Sequence, residues 1–150
     1  MKLLYIGERV DKARCGADAV NLRNYTALNK LFGSGFHHYE LTHVSRLATF
    51  SNLLKGNAGA IQSRDYRNIV AYIKANRITT VFLWSSKLGK LARSIKHRFP
   101  DVKIISFFHN IEKQYYDEEL KVNPSWKNRF IASVVKWNEK LAVKYSDRLI

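Results

Sequence analysis

A single cysteine, Cys15, among 150 residues excludes an internal disulfide and fits a reducing compartment, the cytoplasm. Carboxylates are scarce: 12 Asp+Glu stand against 26 Lys+Arg, giving a net charge of +14 and a pI near 10. Apolar runs are short. None approaches the ~20 residues of a spanning helix, so the sequence offers no bilayer-crossing segment. The start, Met-Lys-Leu-Leu-Tyr-Ile-Gly, has a basic-then-apolar opening, but Glu8, Arg9, Asp11 and Lys12 follow at once. It reads as a first strand rather than a signal peptide. Repeats and low-complexity tracts are absent, as are GxGxxG and P-loop patterns, which leaves a self-contained NAD or ATP site unsupported.

What is present is enough for one core-forming domain: 46% hydrophobic residues and 13% aromatics over 17.4 kDa, a globular composition. Lys2–Ile6 reads as a strand closed by Gly7. A polar loop, Arg9–Asp18, contains Gly16. A helix follows to about Phe32, with Ala17, Val20, Leu28, Leu31 and Phe32 as its apolar stripe and Gly33-Ser-Gly35 as its stop. Phe36–Leu41 is a weaker strand. Thr42–Gln62 is poorly readable, apart from a turn signalled by Gly56, Asn57 and Gly59. A helix over Ser63–Asn76, with Ser63 as N-cap, precedes a buried strand at Thr79–Trp84. Leu88, Leu91, Ala92, Ile95 and Phe99 form an amphipathic stripe that ends at Pro100.

Val102–Glu112 is a non-alternating apolar run that stops at His109, Asn110 and Glu112. Such a run suits a strand buried on both faces. After a connector through Asn123-Pro124, Ser125–Tyr145 carries Trp126, Phe130, Val134, Trp137, Leu141 and Tyr145 at helical steps, and Arg148–Ile150 opens one more strand. Strands alternating with helices imply right-handed crossovers and a doubly wound, Rossmann-like α/β domain with a parallel sheet. Because the chain stops inside a strand, residues 1–150 are expected to be one half of a larger enzyme.

In an open parallel sheet, ligands collect beyond the carboxyl ends of the strands. His109, Asn110 and Glu112 stand at such an end, so an imidazole, an amide and a carboxylate are placed for chemistry. A neutral imidazole can donate one hydrogen bond while a neighbour holds its other nitrogen. Glu112 orients His109, binds a hydroxyl, or is simply a carboxylate favoured at a helix amino terminus. Gly16 would let the first loop approach an anion near a helix amino terminus, or it is an ordinary turn glycine. Arg14 and Arg23 are candidates for pairing with phosphate; solvated arginines are the alternative. Cys15 lacks a His–carboxylate order for nucleophilic chemistry. His37, His38 and His43 make a poor metal site, because neighbouring strand residues face opposite ways and no acidic cluster joins them.

The order of these features resembles the amino-terminal domain of a GT-B glycosyltransferase of the retaining family 4. The resemblance rests on the strand Lys2–Gly7 with its glycine loop, the helix bearing Arg23, and the step His109-Asn110-Ile111-Glu112. A long helix carrying Glu139 then runs into Ser146-Asp147-Arg148-Leu149-Ile150. It departs from the family in the first loop, where Cys15-Gly16 replaces a glycine pair. The resemblance implies an acceptor-binding domain, with a nucleotide-sugar donor held by a carboxy-terminal Rossmann-like domain and catalysis in the cleft between them. No cofactor would be bound by this domain alone, no metal would be required, and the isolated chain would be inactive. His109 would face the transferred sugar, with Gly16, Arg14, Arg23, Asn110 and Glu112 on the substrate side. Glu139 would be a solvated or salt-bridged member of the family's helix pattern.

The charge points to anionic partners. Lys121, Lys127, Arg129, Lys136, Lys140 and Lys144, interleaved with Trp126, Phe130 and Trp137, suit contact with an anionic membrane surface. A sugar or lipid-linked acceptor at the inner membrane face is the partner this favours. Nucleic acid is the competing partner, but a base-stacking motif is missing and only nonspecific phosphate binding is expected.

Overall fold

The computed structural model describes residues 1–8, 15–42 and 45–150; Arg14 and His43 lie outside them. Five strands, β1 (Leu3–Gly7), β2 (Phe36–Glu40), β3 (Thr80–Leu83), β4 (Lys103–Ser106) and β5 (Arg148–Leu149), form an all-parallel sheet ordered β2-β1-β3-β4-β5. The connections carry α1 (Gly16–Phe32), α2 (Arg46–Leu54), α3 (Ser63–Asn76), α4 (Gly89–Arg98), α5 (Glu112–Val122) and α6 (Trp126–Tyr145). The expected doubly wound, Rossmann-like architecture is therefore present.

Alternation along β1 divides the core. Leu3 and Tyr5 face α1, packing with Phe82 against Tyr25, Leu28 and Phe32. Leu4 and Ile6 join Val81, Leu83 and Ile104 beneath Ile69 and Ile73 of α3 and Leu91 and Ile95 of α4. Successive crossovers leave β1 in opposite directions, so the topological switch point falls between the carboxyl ends of β1 and β3. Space there is tight. A Cβ on Gly7 would lie 2.8 Å from the Trp84 ring and 2.7 Å from that of Tyr5, so the indole closes directly over the glycine. A second close approach joins α4 to α6, where a Cβ on Gly89 would fall 1.8 Å from the Asn138 carbonyl oxygen. Asn138 fastens the crossing by accepting from the Lys90 backbone N–H at 3.0 Å and donating to the Gly56 carbonyl at 3.1 Å.

Several sequence expectations need correction. Gln62, not Ser63, stands at the N-cap of α3: the Asp65 carboxylate accepts the Gln62 backbone N–H at 2.7 Å while the Gln62 carbonyl oxygen accepts the Asp65 N–H at 3.0 Å. The apolar run after Val102 gives only four residues of strand, because pairing ends at Ser106, and Lys103 at its start is exposed. Two helices were not foreseen. α2 lies in the poorly readable stretch, with Ser45 accepting from the Ala48 N–H at 3.3 Å. α5 occupies the supposed connector. The α1 stripe is also different: Leu31 is 76% exposed, whereas Asn21 is buried at 2%. On α6, Trp126 is 74% exposed, and the buried positions include Asn138 and Glu139.

Candidate functional site

A cavity of about 310 Å³ opens beyond the switch point. Glu8 after β1, Lys87 after β3, the Gly59-Ala60 turn and Tyr116 of α5 form its polar side. Thr49 and Leu53 of α2 and Ile131 of α6 form the other side, and the same three residues also line an apolar cavity of about 480 Å³ with Phe50, Phe130 and Lys127. The two therefore share a wall. A crevice at the carboxyl end of the sheet, with polar groups on one side, adjoins an apolar cavity between α2 and α6.

Local chemistry sets the position of Lys87. The Ser85 hydroxyl accepts the Lys87 backbone N–H at 3.3 Å, starting a single 3₁₀ turn over Ser86–Leu88 that leads into α4. Its ammonium lies 3.3 Å from a Glu112 carboxylate oxygen. Glu112 is the first residue of α5 and only 6% exposed. It is thus buried, paired with a cation, and not the hydrogen-bond partner that orients His109. α5 has no capping side chain at Ile111. Glu139, reaching across from α6, supplies the cap instead: its carboxylate oxygens accept the backbone N–H groups of Glu112 at 2.7 Å and Lys113 at 3.0 Å. An anion at a helix amino terminus satisfies orphan donors and complements the dipole together. Glu139 is therefore neither solvated nor salt-bridged; it is 8% exposed and ties α6 to the base of the site.

His109 stands in the turn after β4, half-buried, its ring edge-on to Phe107 at 4.7 Å and to Trp84 at 5.9 Å. Burial pushes its pKa below the ordinary histidine value; the Trp84 backbone acceptor opposes this and the Lys87 ammonium reinforces it. The imidazole is therefore neutral at pH 7. Its Nε2 is buried and without a hydrogen-bond partner, an orphan that costs free energy unless another molecule satisfies it.

The expected site residues are only partly brought together. His109 and Glu112 meet through Lys87, whose charge acts on both. Asn110 is exposed and lines a separate shallow depression with Ile111, Gln114, Tyr115 and Glu118. Gly16 is the first residue of α1; a Cβ there would meet nothing within 4 Å, so the fold itself does not demand glycine. Arg23 is exposed on α1, and Arg14 lies outside the described residues. Beneath α1, the side-chain amide nitrogens of Asn21 and Asn24 are buried without partners. His37 and His38 do point to opposite faces, one toward Tyr72 at 3.0 Å and the other toward the Gly7 carbonyl at 3.2 Å. Among the described residues no group of three His, Cys, Asp or Glu side chains converges, and no helix is long and apolar enough to cross a membrane.

Lys87, Glu8 and Tyr116 line the crevice without having been singled out from the sequence. For Lys87 the signal was there: it follows a buried strand in Ser85-Ser86-Lys87, the same kind of position that drew attention to His109. No protein-family model and no curated protein matches the chain.

Proposed function

We propose that this chain is the acceptor-binding half of a retaining, GT-B-like glycosyltransferase acting on a lipid-linked acceptor at an anionic membrane surface, on the cytoplasmic side. The observation that carries this reading is the apolar cavity between α2 and α6, which shares the wall of Thr49, Leu53 and Ile131 with the switch-point crevice. An acceptor's polar head would sit between Glu8 and Lys87, and its hydrocarbon would follow Leu53 and Ile131 toward Phe50 and Phe130. The cavity mouth carries Lys127 and is flanked by exposed Trp126 and Leu54, at 74% and 63%, residues suited to a head-group interface. Among the two acceptor classes that the resemblance allows, this favours lipid-linked over free polysaccharide. The nucleotide-sugar is held by a second Rossmann-like domain. A neutral His109 with a free Nε2 is suited to a hydrogen bond with the transferred sugar rather than to charge pairing.

One observation favours a second reading, a non-catalytic subunit that presents the acceptor to a donor-binding partner. The His109 Nε2 has no solvent exposure, which a group that meets substrate would need to gain. The discriminating experiment measures transfer of labelled sugar from a panel of nucleotide-sugars to lipid-linked acceptors by the complete protein. Lys87→Gln and His109→Ala are compared with the parent. Both variants are expected to lose turnover by about tenfold or more while remaining folded. Full turnover in His109→Ala with raised acceptor KM in Lys87→Gln supports the subunit reading. Unchanged kinetics in both removes the crevice from the reaction.

A further inference from the structure

A second feature lies away from the crevice, on the outer surface of α4. Lys90, Arg93, Ser94, His97 and Arg98 recur at i, i+3, i+4, i+7 and i+8, one continuous face of the helix. Together with Tyr66 of α3 and Tyr145 at the end of α6 they line a groove of about 390 Å³. Because α4 returns from the carboxyl end of β3 toward the amino end of β4, the groove runs down the helical layer, away from the switch point.

Its charge is unbalanced. No carboxylate lines the groove, and among the described residues none of these four basic side chains makes an ion pair. The helix dipole accounts for cations in the last turn, where Lys96, His97 and Arg98 fall. It does not account for Lys90, which stands in the first turn, where the dipole opposes a positive charge. Burial and the neighbouring Arg93 lower the Lys90 pKa, so the fold bears a cost to keep these cations together. They are also held in place. Lys90 donates to the Lys55 carbonyl and the Asn57 side chain, Arg93 lies 5.5 Å from the Trp137 ring, and Arg98 donates to the Ser94 hydroxyl at 3.0 Å. Arg93, one turn from Lys90, and Arg98, two turns along the same face, present guanidinium forks with no anion of the protein's own in the groove, the chemistry that matches the oxygens of a phosphate ester.

We infer that the groove between α3, α4 and α6 is a binding site for a phosphate-ester group, formed by Arg93 and Arg98 with Lys90 and His97. The volume suits a small phosphorylated molecule; the same chemistry is offered by a phospholipid head group. The site is independent of the crevice and of the glycosyltransferase reading.

Pyrophosphate titrated calorimetrically into the intact chain tests this. The Arg93→Gln/Arg98→Gln double variant is compared with Lys30→Gln/Lys103→Gln, which removes the same charge from exposed positions elsewhere. The expected result is saturable binding that weakens by about tenfold or more in the arginine variant and by less than about twofold in the lysine control. Thermal unfolding of both variants checks that they remain folded. Cosedimentation with phosphatidylglycerol vesicles separates the sources: a head-group site loses vesicle binding in the arginine variant and is competed by pyrophosphate, and a small-molecule site leaves vesicle binding unchanged. Equal weakening in the two variants, or no saturation, overturns the proposal in favour of a diffuse basic field. So does binding that appears only with long nucleic acid.

Discussion

Replacing Glu139 with glutamine removes one negative charge from a place where the fold depends on it. The parent carboxylate accepts two backbone N–H groups, at 2.7 and 3.0 Å, in a site 8% exposed to solvent. Glutamine retains one carbonyl oxygen for one of them and turns its own NH₂ toward the other. One charge-assisted bond becomes neutral and one becomes a donor–donor contact, a loss of about 2–3 kcal/mol. Alanine leaves both donors unsatisfied and opens a void, costing about 3–5 kcal/mol. For a chain of this size the glutamine variant should melt roughly 5–10 °C lower. Urea denaturation gives the free energy, and hydrogen exchange should show faster exchange specifically at the Glu112 and Lys113 amides. Glu118→Gln serves as the control, since that carboxylate pairs with Lys121 on an exposed surface and its loss should change stability little. If Glu139→Gln is no more harmful than Glu118→Gln, the cross-helix cap has been given too much weight.

Two further perturbations test the packing and the histidine. Gly89→Ala would ordinarily stabilise a helix by about 1 kcal/mol, but its Cβ would fall 1.8 Å from the Asn138 carbonyl oxygen. α4 and α6 would have to part by about 1 Å, and urea midpoints should report a loss of about 3 kcal/mol or more. Gly16→Ala, with open space around it, should be neutral or slightly stabilising; a stabilised Gly89→Ala would contradict the helix crossing. The depressed pKa of His109 means that the unfolded chain takes up its proton first as pH falls. Stability from this group is complete above the unfolded value, about 6.5, and declines as pH drops toward the folded value. His109→Gln should therefore show a shallower loss of stability than the parent between about pH 7.5 and about pH 5. Parallel pH curves for the two proteins would exclude a buried neutral imidazole.

How legible the fold was depended on where burial left a periodic trace. β1 and β3 were readable because Leu3–Ile6 and Val81–Leu83 are apolar and buried on both faces, and the α4 stripe because Leu91, Ala92 and Ile95 are buried on the face that helical periodicity picks out. α5 was not, because Glu-Lys-Gln-Tyr-Tyr-Asp-Glu-Glu-Leu-Lys-Val has almost no apolar stripe and its cap comes from a distant helix. Glu139 was misjudged for the same reason: a glutamate in mid-helix gives no local sign that two backbone N–H groups from elsewhere converge on it. At the site, the rule that ligands gather past strand ends led to His109, which does stand past β4. It could not show that Trp84 and Phe107 would crowd the ring, nor that the crevice at the switch point would be lined instead by Glu8 and Lys87.

The all-parallel pairing also governs how this chain can be born. β1 is an interior strand, with Leu3 paired to Phe36 on one side and to Thr80 on the other, and no hairpin is available to shelter it early. Leu3, Leu4, Tyr5 and Ile6 are made well before β3 and lack their partner on that side until Thr80–Leu83 follows them. Nascent-chain lengths short of that point should bind chaperones and resist compaction, and the transition to a protease-resistant core should come only after Leu83 has emerged.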